Sequence, residues 1–521
     1  MHAVDLAATP RRATRTVHRV EQRLAVIDLG SNSFRLVVFT HTEDWWKRTD
    51  EIYESVRVGE HQETGGPLQP EPMERALETI ELFAHFCRAT RIERVRPLAT
   101  SAIREASNRN AFVRAARKRA GLDVQVLSRQ QEARYGYLAV VNSTTLTDGV
   151  ALDIGGGSMQ LTHVANRAAR DARSWRLGAV VTTERFLTAE RVKPKHLKAL
   201  RDHVRRELAE AEWLRDAGGR LAGIGGTVRN LAAAVMLEQG LPSHGVQGFC
   251  IPRAELDALV DRLAGLTPAE RRRVPGIKPE RGDLILAGAV VVQTVMDAAG
   301  FDALEVTEAG LREGAFFEEL LAPEEPPLLR DVRAASVRNL AAQYHPDAAH
   351  TAHVARLALE IWDALAEAGV HPGDEREREL LWAAAVLHDI GTAVDYDDHH
   401  KHSRYLILNA GLPGFSPRET ALIGQAARYH RKGQPGLGEF APLARKGDEA
   451  LLARCSAALR LAEQLERPRD QTVRHARVAV RDGRVELRLE TEADATVSRW
   501  AAQRQGDVFK RAFGKELLVL G

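Results

Sequence analysis

Cysteine is scarce: Cys87, Cys250 and Cys455 are the only three in 521 residues, and none forms a CxxC pair. A disulfide frame and a cysteine zinc site are therefore disfavoured, and the sparse thiols fit a reducing compartment, so a cytoplasmic chain is expected. No apolar run nears the roughly 18 residues a membrane span needs. The opening MHAVDLAATPRRATRTVHRV has arginines but lacks the apolar core of a secretory signal, and residues 1–22 are expected to be a disordered tail. Charge of one sign is missing as well: 73 Lys+Arg stand against 71 Asp+Glu, a net of +2. No whole-protein field draws in nucleic acid, so neither DNA nor a membrane is expected as partner. Any polyanion must be held by a local patch. What remains is an ordinary globular composition, 44% hydrophobic and 28% charged, in a chain long enough for about two to four domains.

From Arg23, RLAVIDLGSNSFRLVVFT reads as a strand, a tight polar turn and a second strand. At Gly149, GVALDIGGGSMQLTHV repeats the pattern, and a third glycine turn, GIGGT, begins at Gly223. The two hairpins look like an internal repeat. Glycine turns let backbone amides crowd around an anion, so two facing turns make a phosphate clamp. Asp28 and Asp153 end their strands where a carboxylate can hold a divalent cation against phosphate oxygens. A dinucleotide-binding reading of GGG fails because a strand, not a helix, follows Gly157.

The acid- and proline-rich APEEPP at 322–327 favours an extended linker, which places the main boundary near residue 325. Beyond it, helical periodicity dominates 331–470, and the last fifty residues return to strand-like alternation. The expected division is 23–140 and 141–325 for two α/β subdomains, 326–470 for an all-α domain and 471–521 for a small α+β cap.

The strings IDLGSNSFRL, ATSAIREASN, SRQQEARYGYLAV, LDIGGGSMQL, GIGGTVRNLAA and EAGLREG resemble, in order and spacing, the exopolyphosphatase/guanosine pentaphosphate phosphohydrolase (Ppx/GppA) family, within the acetate kinase, sugar kinase, Hsp70 and actin superfamily. The resemblance implies an α/β fold with two actin-like (ribonuclease H-like) subdomains. It implies that Glu132 deprotonates the water that attacks the terminal phosphorus. Arg35, Arg104 and Arg312 would line the phosphate path. Gly30, Ser31, Asn32, Ser33, Ser101, Gly155, Gly156, Gly157, Ser158, Gly226 and Thr227 would bind phosphate, and Asp28 and Asp153 would lie at a Mg²⁺ or Mn²⁺ ion. One position departs from the family: GGGSxE usually has glutamate where this chain has Gln160, which keeps an oxygen ligand but loses charge and basicity.

Nine of the 19 histidines fall between His345 and His430. His350 in HTAHVARLA, His388-Asp389 in LHDIG, and His399 and His402 in HHKHS resemble the HD phosphohydrolase superfamily, in which such residues and a distant acid collect around a divalent metal. Glu463, in LRLAEQLER, stands where that pattern has aspartate. The resemblance implies an HD-like helical domain that either holds a second divalent metal or serves to bind distal polyphosphate and to dimerise. The expected activity is exopolyphosphatase. The alternatives are hydrolysis of pppGpp to ppGpp and a non-catalytic sensor of polyphosphate or alarmone.

Overall fold

The computed structural model describes residues 20–63, 65–242 and 244–520; nearly all of the expected tail, residues 1–19, lies outside the described residues. Among the described residues the three cysteines are free, and no helix is long and apolar enough to cross a membrane.

The strands, in chain order, are β1 (Gln22–Leu29), β2 (Phe34–His41), β3 (Trp46–Glu54), β4 (Arg94–Ala99), β5 (Gln125–Val126), β6 (Gly149–Ile154), β7 (Met159–Ala165), β8 (Ala168–Trp175), β9 (Leu221–Ile224), β10 (Cys250–Pro252), β11 (Ala303–Val306), β12 (Val473–Arg481), β13 (Arg484–Thr491) and β14 (Glu516–Leu520). They form three sheets, ordered β3-β2-β1-β4-β5, β10-β11-β9-β6-β7-β8 and β12-β13-β14. In the first sheet β1, β2 and β3 run antiparallel while β4 and β5 pair parallel to β1 and to each other. The second repeats this design: β6, β7 and β8 are antiparallel, and β9 and β11 extend the sheet in parallel. The repeat legible in the two hairpin motifs is thus a repeat of sheet topology. Strands β1 and β6 are almost continuously apolar because each is central and covered on both faces.

Each sheet buries its outer face under its own helices, the first under Pro70–Ala89 and Arg109–Ala120, the second under Pro194–Leu208, Gly226–Glu238, Arg253–Gly265 and Ile285–Ala299. A further core lies between the sheets. There the helix Arg129–Val141 packs on the second sheet and the helix Leu311–Leu320 packs on β1, and the two helices cross against each other. The crossing is a backbone contact. A Cβ at Gly314 would lie 1.9 Å from the carbonyl oxygen of Tyr135, so only glycine fits there.

After Leu320 no helix or strand occurs until Val332, and the segment containing APEEPP spans this gap. The helices Val332–Gln343 to Asp448–Leu465 follow. They share one hydrophobic cluster with the inner face of β12–β14 and with Phe509 and Phe513, so the terminal sheet has no core of its own. This half is joined to the rest by Asn339 Oδ1, which accepts from the Trp46 amide at 2.8 Å, and by Ser143 O, which accepts from the Gly414 amide at 3.0 Å.

Candidate active site

The two hairpin turns close in the same way, Gly30 N donating to Ser33 O at 3.2 Å and Gly155 N to Ser158 O at 3.0 Å. They face each other across a cavity of about 140 Å³ lined by Asp28, Gly30, Ser31, Asn32, Ser33, Arg35, Ser101, Glu132, Asp153, Gly155, Gly156, Gly157, Ser158, Gly226 and Arg312. The approach is close: a Cβ at Gly157 would lie 2.3 Å from Ser101 Oγ and 3.0 Å from Ser31 Oγ. The two hydroxyls are themselves 3.0 Å apart.

Glu132 reaches this cavity from the first turn of its helix, whose start is fixed by a capping box between Ser128 and Gln131. Its carboxylate is buried. Oε2 accepts from Arg104 Nη1 at 2.5 Å and Oε1 accepts from Ser158 Oγ at 3.2 Å. Arg312, from the crossing helix, places Nη1 3.3 Å from Asp28 Oδ2. Arg35 pairs with Glu51 at 2.8 Å and stacks over Tyr53. The Nε atoms of Arg35 and Arg312, both cavity-lining residues, are buried without a hydrogen-bond partner, so donors remain available for an anion.

The carboxyls of Asp28 and Asp153 are both raised. Loss of water is the main cause at each; at Asp153 the charges of Glu132 and Asp28 add to it and push the group up to about 7. Three crowded acids beside phosphate-binding loops form an oxygen-donor set suited to Mg²⁺ or Mn²⁺, which relieves that repulsion.

Four expected residues lie elsewhere than their motifs suggest. Arg104 does not line the cavity; it holds Glu132 and the Leu127 carbonyl. Thr227 is buried with its methyl towards Gly288, because one helical step from Gly226 turns a side chain by about 100°. Gln160 lies opposite Asp153 in the β6–β7 register, as Arg35 lies opposite Asp28 in β1–β2. Gln160 is not among the cavity-lining residues; its amide donates to Ser158 Oγ at 2.9 Å and Ser174 Oγ at 3.3 Å. Gln160→Glu is therefore expected to lower kcat, since a carboxylate cannot donate to Ser158, and to lower Tm, since an added buried charge costs stability. Phosphate release and calorimetry check this, and a large gain in rate would make the glutamine an attenuator. His402, the fourth, belongs to the helical half described below.

Two further arginines, neither of them among the residues expected from the motifs, line the cavity. Arg229 shares a helix face with Gly226, donates to the Glu308 carbonyl at 2.9 Å and is lowered to about 10 by burial and by Arg312. The signal was its i, i+3 spacing from Gly226. Arg281 packs its guanidinium over Gly226 from the short 3-10 helix Pro279–Arg281, which carries no motif.

In the helical half, His350, His388, Asp389, His399 and Glu463 lie close together. His430, just past the end of the helix Pro417–Arg428, joins them. His402 does not belong to either ligand group; its Cβ lies over Gly391, 2.8 Å from where a methyl there would stand.

A duplicated sheet with paired glycine turns and an acid on the helix between them defines a phosphate-handling enzyme of actin-like fold. Residues 21–322 match the Ppx/GppA phosphatase family and residues 332–501 match Ppx/GppA phosphatase, domain III. The chain belongs to the Ppx/GppA phosphatase family and is a phosphoanhydride hydrolase. It is 27% identical over 431 residues to a guanosine-5'-triphosphate,3'-diphosphate pyrophosphatase of Vibrio vulnificus (strain YJ016), covering 82% of this chain and 84% of that one. A crystal structure of the Aquifex aeolicus family member superposes with a TM-score of 0.51 at 27% identity, over 58% of this chain and 99% of that one. An exopolyphosphatase from Cytophaga hutchinsonii ATCC 33406 shares the fold, with a TM-score of 0.54 at 23% identity over 57% of this chain and 98% of that one.

Proposed function

We propose that the chain releases the terminal phosphate of inorganic polyphosphate, with Glu132 as the base that takes a proton from the attacking water. The observation that carries this reading is the Glu132 carboxylate, buried between Arg104 and Ser158 at the wall of a cavity lined by Arg35, Arg229, Arg281 and Arg312. Amides of the two turns bind the phosphate oxygens, and the arginine forks hold the charge that spreads over them as the P–O bond breaks. Asp28 and Asp153 would hold Mg²⁺ or Mn²⁺, which supplies charge neutralisation on the phosphate when bound. Ser158 and Arg104 orient the base, and Gln160 holds Ser158 in place. The convergence of His350, His388, Asp389 and Glu463 supports an HD-like reading of the helical half.

A second reading, pppGpp hydrolysis, is favoured by the cleft of about 870 Å³ that continues from the clamp. Seven carboxylates and four arginines line it. An acidic wall repels a long polyanion but accepts the N–H donors of a guanine ring. The name of the Vibrio vulnificus relative points the same way. Phosphate release from long-chain polyphosphate and from pppGpp, each with and without Mg²⁺, separates the two. The expected result is metal-dependent release with a higher kcat/KM for polyphosphate. The reverse order establishes the nucleotide reading, and no metal-dependent release from either overturns both.

A further inference from the structure

The histidine cluster of the helical half lies apart from the phosphate clamp, and its side chains are buried. His388 Nδ1 lies 2.7 Å from Ala385 O, His399 Nδ1 2.8 Å from Tyr396 O and His430 Nδ1 2.6 Å from Ala427 O. A carbonyl oxygen only accepts, so each Nδ1 carries a proton, and the neutral form of each ring, the form that ligates a metal, presents a bare Nε2 lone pair inward. All three rings are therefore fixed by the same contact, to the carbonyl three residues earlier.

This arrangement has a cost that the protein's own atoms do not offset. His399 Nε2 and His430 Nε2 stand 3.0 Å apart, lone pair to lone pair. Asp389 Oδ1 lies 3.4 Å from the first and 4.0 Å from the second and accepts no hydrogen bond. On the other side, His350 Nε2 stands 3.0 Å from Glu463 Oε2, and His388 Nε2 is 3.4 Å from that oxygen and 3.5 Å from Asp389 Oδ1; none of these atoms has a hydrogen-bond partner. Buried acceptors facing buried acceptors are costly unless a cation lies between them. Two such places exist, and they share Asp389.

We infer that the helical half carries a two-ion metal centre, one ion held by His350, His388 and Glu463, the other by His399 and His430, with Asp389 shared between them. Four imidazole nitrogens and two carboxylates suit first-row transition ions such as Mn²⁺, Fe²⁺ or Zn²⁺, whereas Mg²⁺ prefers oxygen ligands and water. The backbone contacts at Nδ1 are the outer partners that fix histidine ligands for metal. Arg469, 2.6 Å from Asp389 Oδ2, fixes the shared carboxylate from the solvent side. The inference does not rest on phosphate release at the clamp.

The test uses the full-length chain, stripped with chelator, reloaded with Mn²⁺ and desalted, with metal counted by mass spectrometry and by electron paramagnetic resonance. His430→Ala is expected to lose one ion relative to the unaltered chain, and Asp389→Ala two. His402→Ala loses none. The unaltered chain is expected to show the exchange-coupled signal of a manganese pair, absent from His430→Ala. An unchanged ion count in His430→Ala, or a loss of at most one ion in Asp389→Ala, overturns the centre. Circular dichroism of each stripped variant separates ligand loss from unfolding, and the conservative His430→Gln, expected to lack the coupled signal too, gives a second reading should His430→Ala unfold.

Discussion

Glu132→Gln is expected to lower kcat by about 10³-fold, within the range a positioned general base contributes. The substitution preserves shape and removes the proton-accepting charge. It also leaves Arg104, now paired to Glu132 at 2.5 Å, without its counter-charge beside the anion site. Substrate should therefore bind as well or better, and KM should stay level or fall while kcat collapses. That split marks a group acting in the transition state rather than one that merely helps binding. Steady-state phosphate release measures it, with circular dichroism to confirm folding. A variant that keeps kcat within a factor of about three would remove Glu132 from the role of base.

Arg312→Ala should reduce kcat/KM by about 10²- to 10³-fold, the scale of losing one charged donor at a preorganised anion site. Two effects combine. The fork that faces the cavity is lost, and Asp28 loses the cation that most strongly opposes the rise of its carboxyl. Binding of Mg²⁺ should weaken together with turnover, because a more readily protonated Asp28 is a poorer ligand. Arg312→Lys should recover only part of the loss, since a point charge cannot replace a planar fork. Magnesium titrations of activity in both variants check this; a full rescue by lysine would mean that Arg312 contributes charge alone.

The sequence disclosed those parts of the molecule whose causes are local. Turn chemistry and strand pattern marked both hairpins, and with them Asp28, Asp153 and the glycine loops. Glu132 was legible only through the family resemblance, since an exposed helix glutamate is the ordinary reading of QQEARYGY. Arg281 was invisible, because nothing near KPERGD records that the chain returns to Gly226. Thr227 and Arg229 show how one helical step decides which side chain meets the cavity. HHKHS offered His399 and His402 without saying which face is inward, and His430 joined the cluster from beyond the end of a later helix, where a single histidine carries no pattern.

The contact between Gly314 and the Tyr135 carbonyl has a mechanical consequence. It is the place where the helices belonging to the two sheets touch backbone to backbone, and so it is the natural pivot if the sheets rock apart. Glu132 precedes Tyr135 by three residues and Arg312 precedes Gly314 by two, so both ride close to the axis. Motion about this contact would therefore leave the spacing between base and arginine nearly unchanged.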